Sequence, residues 1–209
     1  MLLAKLLALG HGLRALDVGF GAGELARRIR PRCAHLAGIE MDAAAASQAS
    51  HFFDSCLTGD LMSVLPQERG PYDVIVAGDV LEHLPDPGAV LDMFRGLLGA
   101  RGLLLVSLPN VANVTVRAAL LLGRFTYTER GILDATHLRF FTGRTGRELL
   151  ESHGFRVTSQ TATAMPLELA APFLGSRLLA PAVRGGAVAA ARLWPGLLGY
   201  QFVYEAVPR

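Results

Sequence analysis

"LDVGFGAGELARRI", residues 16–29, decides how the rest of the chain is read. An apolar run ends at Val18, glycines alternate at Gly19, Gly21 and Gly23, and a helical pattern starts directly behind them. Glycine lets the backbone turn through conformations closed to other residues and approach a ligand with no side chain in between. A phosphate loop would end in Gly-Lys-Ser/Thr, where this chain has Gly23-Glu24-Leu25. A dinucleotide fingerprint would read Gly-x-Gly-x-x-Gly, and here the third glycine comes one residue early. Asp17 stands at the end of the apolar run, where its carboxylate would repel a pyrophosphate and attract an ammonium or sulfonium group.

Around this loop the chain alternates between strand-length apolar runs and helical patterns. Strands are expected near Ala15–Val18, His35–Glu40, Ser55–Thr58, Tyr72–Ala77 and Leu103–Ser107. Helices are expected near Gly23–Arg30, Ala43–His51, Pro87–Leu98 and Thr142–His153. Such alternation implies parallel strands with helices on both faces, and strands buried on both sides read as nearly continuous apolar runs. "GFRVTSQTATAM" adds a strand, residues 166–194 form a helix-rich insertion, and "YQFVYEAV" adds a last strand. Met1–Leu9 is expected to be a short helix covering one edge of the domain rather than a signal peptide.

The totals fit one globular domain over residues 1–209. The formal net charge is only +2 and the arginines are scattered, which argues against a nucleic-acid surface. Cys33 and Cys56 lack metal-ligand spacing and read as reduced thiols of a cytoplasmic protein. No stretch has the roughly 18 uninterrupted apolar residues of a membrane span, since Pro172, Arg177, Pro181, Arg184 and Arg192 break the candidate around 167–193.

Four stretches, in order, carry a resemblance. "LDVGFGAG" resembles the glycine-rich first motif of the class I S-adenosylmethionine-dependent methyltransferases. "GIEMD", "TGD" and "YDVIVAGDVLEHLPDP" are similar to the ends of their second, third and fourth strands. The resemblance implies a Rossmann-like, doubly wound α/β sheet of seven strands, mostly parallel with an antiparallel last strand, and S-adenosyl-L-methionine as cofactor. It implies that Asp17, Gly19, Phe20, Gly21 and Gly23 border the methionine moiety. Glu40 would accept from both ribose hydroxyls, Met41 would pack on adenine, and Asp60 with Leu61 would meet the adenine edge. Asp79 and Val80 would close the site from the fourth strand. A carboxylate suits a vicinal diol because it accepts both donors.

"DVLEHLPDP", "SLPN" and "GILDATHLRFFT" together resemble a subgroup that includes quinone-ring O-methyltransferase-like proteins and enzymes of polysaccharide and natural-product gene sets. This resemblance implies O-methylation of a small molecule, a glycan or a lipid-linked acceptor. The acceptor site is expected in the long connection of residues 109–141. A hydroxyl acceptor gains from a base that takes its proton. His137 is the first candidate, oriented by Asp134, and His83 is the second. Glu82 with His83 makes a poor metal signature on its own, so no metal is assigned. Arg117, Arg124, Arg130, Arg139 and Arg144 could read an anionic acceptor or form a solvated face.

"VRAALLLGRF" and residues 167–193 could form a lid, a homodimer surface or a peripheral membrane patch, or pack as ordinary core. Two rivals to the methyltransferase reading remain. One is a cofactor-binding accessory protein that regulates a biosynthetic partner without transferring methyl groups. The other is a nicotinamide-dependent reductase, against which the glycine spacing speaks.

Overall fold

The computed structural model describes residues 1–165 and 180–209. The part of the expected helical insertion over 166–179 lies outside the described residues.

The apolar runs form β1 (Leu13–Val18), β2 (Cys33–Glu40), β3 (Ser55–Thr58), β4 (Tyr72–Gly78) and β5 (Leu98–Pro109). They are joined by α2 (Glu24–Ile29), α3 (Ala43–Ala49), the single turn α4 (Leu61–Val64) and α5 (Pro87–Leu97). The helix α1 (Leu2–Leu7) precedes β1. After β5 come α6 (Val114–Leu121), α7 (Gly143–Ser152), β6 (Phe155–Thr163), α8 (Ala180–Leu193), α9 (Pro195–Leu198) and β7 (Gln201–Pro208). Among the described residues seven strands make one sheet, in the order β3-β2-β1-β4-β5-β7-β6. β1 to β5 pair in parallel, and β7 is antiparallel to both β5 and β6.

The alternation within each central strand supplies both faces of the core. Ile75 and Ala77 of β4, with Leu104 and Val106 of β5, pack with Phe94 of α5 and Leu150 of α7. Val74 and Val76, with Leu105, point the other way and pack with Leu6 of α1 and Ala26 and Ile29 of α2. All of these side chains are buried, which explains why the strands read as unbroken apolar runs. Helix starts are fixed locally. Asp86 accepts from the Ala89 N–H at 3.0 Å with Pro87 in the first turn, and Thr142 and Thr145 form a reciprocal capping box on α7.

The strand order reverses between β1 and β4. In open parallel sheets a crevice forms at such a point, outside the carboxyl ends of the strands. The glycine loop after β1 and the Leu81–His83 turn after β4 both open onto that crevice. β7 runs against its neighbours, so its first residue, Gln201, and the preceding Tyr200 come to the same end of the sheet. Two buried amides hold them there. Asn110 and Asn113 each donate to the Gly199 carbonyl at 2.8 Å, and Asn110 N–H donates to the Tyr200 carbonyl.

Candidate functional site

Backbone geometry builds the glycine loop. Gly19, Gly21 and Gly23 all have positive φ, at 69°, 51° and 73°. At Gly19 a Cβ would come within 2.6 Å of the Val80 side chain, so the loop can lie against the turn after β4 only with glycine there. Glu40 reaches across from the end of β2. Its Oε2 accepts from the Gly21 N–H at 2.8 Å and its Oε1 from the Asp42 N–H at 2.9 Å. These two bonds fix the carboxylate plane and leave each oxygen a further lone pair for an incoming donor.

Asp17 lies beneath the loop and is buried, with Oδ2 lacking any hydrogen-bond partner among the described residues. Burial, and then the neighbouring Glu40 charge, push its carboxyl up to about 7. A buried carboxylate in this position is costly unless a cationic partner arrives. Asp79 follows β4 with φ of 57°, a left-handed conformation rare outside glycine. Its Oδ1 accepts from Ser107 Oγ at 3.0 Å and from the Gln201 amide, which leaves Oδ2 free of these two anchors.

Three adjoining cavities meet here. The first, about 360 Å³, lies between Asp17, Gly19, Phe20 and Gln201, with Leu2 and Leu3 of α1 on its rim. The second, about 430 Å³, is a mostly apolar slot between Glu40, Met41, Asp60, Leu61 and Val80. The third, about 260 Å³, is ringed by Glu82, His83, Asp134, His137 and Tyr200. Asp79 lines all three, while His83 is common to the second and third.

The third cavity owes its shape to a docked segment. Leu138 and Arg139 both donate their N–H groups to the Glu82 carbonyl, at 2.9 and 3.0 Å, and the Arg139 guanidinium holds the Pro85 carbonyl. This brings His137 against His83, with ring centroids 4.8 Å apart. His137 Nδ1 lies 3.2 Å from the Ile132 carbonyl, so Nδ1 carries the proton and Nε2 presents a lone pair. Burial lowers the His137 pKa, which keeps the ring neutral. The expectation that Asp134 orients this ring is corrected. The Asp134 carboxylate accepts instead from the Thr136 N–H and hydroxyl, at 2.8 and 2.6 Å, which hold its pKa down. His83 Nδ1 faces Thr136, 3.3 Å from its carbonyl and 3.2 Å from its hydroxyl.

Glu82 is fully buried, and neither of its carboxylate oxygens has a partner among the described residues. Burial, reinforced by Asp79, pushes its carboxyl up to about 8. Ligating atoms of Glu82, His83 and His137 lie within 4.8 Å of one another. One carboxylate and two imidazoles form a donor set suited to a divalent cation. The sequence pair Glu82-His83 lacked this third donor, which the fold supplies from 54 residues away.

Three of the expected residues also serve the fold itself. Gly23 faces the core, where a Cβ would meet Ala49 at 2.8 Å, and it lines none of the three cavities. Phe20 packs on Phe53, centroid to centroid 4.4 Å, and also lines the first cavity. Asp60 caps α4 through Ser63, at 3.1 Å to its N–H, while still lining the second cavity. Ser107, Tyr200 and Gln201 were missed. The signal for the last two was available, because the start of an antiparallel strand lies where the parallel strands end.

Comparison with known proteins bears on this geometry. The family described as "Methyltransferase domain" matches residues 2–160. The chain belongs to that family. This methyltransferase domain is 36% identical over 107 residues to the ubiquinone biosynthesis O-methyltransferase of Marinobacter nauticus, covering 47% of this chain and 45% of the relative. It is 31% identical over 164 residues to the protein of that name from Rhodopseudomonas palustris, covering 76% of this chain and 64% of the relative. In its first matches the methyltransferase domain thus spans about half the length of the curated relatives. In fold it is similar to the magnesium protoporphyrin IX methyltransferase of Synechocystis PCC 6803, solved with S-adenosylhomocysteine. The TM-score is 0.66 at 18% identity, with 100% of this chain and 80% of that one covered.

Proposed function

We propose that this methyltransferase domain transfers a methyl group from S-adenosylmethionine to a hydroxyl oxygen of a small aromatic acceptor of the quinol or catechol type. The observation that carries this reading is the meeting of a donor-sized cleft and an acceptor pocket at Asp79, with His137 presenting an unprotonated Nε2 across the junction. The cleft fits the donor in three respects. The orphaned Asp17 oxygen awaits a cation, the Gly19 cradle has no room for a side chain, and the Glu40 carboxylate is held ready for a diol. Family membership and the names of the relatives support the same reaction class.

The donor, when bound, supplies a sulfonium methyl open to in-line displacement. The chain's own groups do the rest. Asp17 and Glu40 fix the two ends of the donor, Asp79 is anchored by Ser107 and Gln201 at the junction, and His137 Nε2 accepts the proton that the attacking hydroxyl gives up. Enclosure by Tyr200 and the docked 132–139 segment limits water at the acceptor oxygen.

A second reading rests on the unpartnered Glu82 carboxylate. Glu82, His83 and His137 would hold a divalent cation, which lowers the pKa of a coordinated acceptor hydroxyl; His137 then serves as a ligand rather than a base. Leu120, Leu121 and Leu122 at the end of α6, with Phe125 and Tyr127 a few residues on, are exposed. This surface also supports contact with a membrane face from the cytoplasmic side. No helix among the described residues is long and apolar enough to cross a membrane.

The test is transfer of labelled methyl from S-adenosylmethionine to catechol and hydroxyquinol acceptors, with calorimetry on S-adenosylhomocysteine beside it. Turnover that falls with Glu40→Ala supports the reading. Tight product binding without turnover on any acceptor favours the non-catalytic accessory protein. No heat with either nucleoside removes the reading altogether.

A further inference from the structure

The chain carries a second concave site that shares no lining residue with the cavities around Asp79. It has a volume of about 580 Å³ and lies between α6, α7, the β6–β7 pair and α9. Three arginines line it, Arg117 from α6 and Arg144 and Arg147 from α7, and no acidic side chain belongs to its described lining. Phe202 and Pro195 give it an apolar floor.

The way these arginines are tethered matters more than their number. Each is anchored through its Nε. Arg117 donates to the Ala112 carbonyl at 2.6 Å, Arg144 to Glu148 at 2.7 Å and Arg147 to Gln160 at 3.2 Å. Nη1 of Arg147 also reaches Glu151, at 3.4 Å. In all three, Nη2 makes no hydrogen bond to a described residue, and Arg117 has no carboxylate partner among them. A guanidinium fixed at Nε keeps its planar fork pre-oriented, so less side-chain freedom is lost when an anion binds. Several donors, supplied by α6 and α7, suit a group with three terminal oxygens better than a planar carboxylate, which one fork can saturate.

We propose that this cavity binds a phosphate group, carried by an organic phosphate monoester whose apolar part rests on Phe202 and Pro195. Of the five arginines grouped in the sequence, Arg117 and Arg144 thus recognise an anion here, joined by Arg147, and not at the acceptor pocket, where Arg139 instead holds the Pro85 carbonyl. Gln160 and Thr142 on the cavity wall complete the polar lining.

Trp194, the only tryptophan of the chain, immediately precedes Pro195 of the cavity wall and serves as a nearby fluorescent probe. The experiment titrates the full chain with phenyl phosphate and, separately, with inorganic phosphate, against sodium chloride of equal ionic strength, following Trp194 fluorescence. The expected result is a saturable change with phenyl phosphate. Its midpoint should rise about tenfold or more in Arg117→Ala and in Arg147→Ala, the loss expected for one charge-assisted hydrogen bond. Equal midpoints for the two phosphates would assign the site to free phosphate, and a lower midpoint for phenyl phosphate to an ester; both uphold recognition of the phosphate group. Arg147 bridges α7 to β6, so Arg147→Lys serves if the alanine variant does not fold, whereas Arg117 is exposed and its removal leaves the core intact. A response no larger than that to chloride, or midpoints unmoved in Arg117→Ala, overturns the proposal. Calorimetry with S-adenosylhomocysteine on the same variants should show unchanged affinity.

Discussion

Replacing Asp17 by asparagine should stabilise the unliganded protein at alkaline pH while weakening donor binding. Asp17 titrates near 7 in the folded chain against 3.8 for the free side chain, because burial and the Glu40 charge both oppose its ionisation. A carboxyl whose folded-state pKa is raised holds its proton more tightly in the native state. Its contribution therefore favours folding most below pH 4, and is lost steadily as the pH rises toward 7. Each pH unit in that window removes about 1.4 kcal/mol, so between pH 5 and pH 8 the wild type loses about 3 kcal/mol through this group alone. The amide of the Asp17→Asn variant cannot ionise and escapes that loss. Glu82 and Asp79 titrate in both proteins, so the difference between them isolates Asp17. For a chain of this size the difference amounts to roughly 6–12 °C in Tm. Thermal unfolding of both proteins at pH 5 and pH 8 measures it, and calorimetry with S-adenosylhomocysteine at pH 8 should show affinity reduced at least about tenfold in Asp17→Asn. If the gap in Tm is the same at both pH values, the buried carboxylate is not the strained group described here.

Gly19→Ala places a Cβ against Val80 at a φ of 69° and should cost about 1–3 kcal/mol of stability together with most of the donor affinity, read by urea unfolding and calorimetry. His137→Ala should lower the rate of methyl transfer by about 10²–10⁴ while the affinity for S-adenosylhomocysteine stays within about twofold, read from single-turnover transfer of labelled methyl. If Glu82, His83 and His137 hold a cation, one of magnesium, manganese or zinc ions should raise Tm in a concentration-dependent way, by about 2.7 kcal/mol of stabilisation at a hundredfold excess over Kd. Glu82→Gln should abolish that rise; an equal rise in the variant would place the ion elsewhere.

The sequence was most informative where a property belongs to a run of residues. The apolar ends of β1 and β2 were legible as strands because burial on both faces leaves no polar alternation to confuse them, and the half-exposed edge strand Ser55–Thr58 still has the expected bounds. β5 extends to Leu98–Pro109, beyond the expected Leu103–Ser107. Its pairing with β4 crosses an irregularity between Tyr72 and Val74, and pairing across a bulge leaves no periodic trace. The single turn α4 is too short to show a helical period, and only the turn signal of Gly59-Asp60-Leu61, which also fits an N-capped helix, marks its start. In the site, Asp17 and Glu40 were readable because a carboxylate at a strand end has few local uses. The partners of His137 were not. Its ring is set by the Ile132 carbonyl, and its meeting with Glu82 depends on two backbone N–H groups, and main-chain atoms look alike in every sequence.

The position of β7 between β5 and β6 has a consequence for how the chain assembles. Among the described residues β6 finds its only strand partner in β7, so residues 155–163 remain an unsatisfied edge until a segment about forty residues later inserts beside them. The sheet is completed from its middle rather than its rim, through pairings of high sequence separation, which form slowly. Newly made chains should therefore pass through a period in which the open flank can stick to a neighbour, and a chaperone that shields that flank would raise the yield of folded protein.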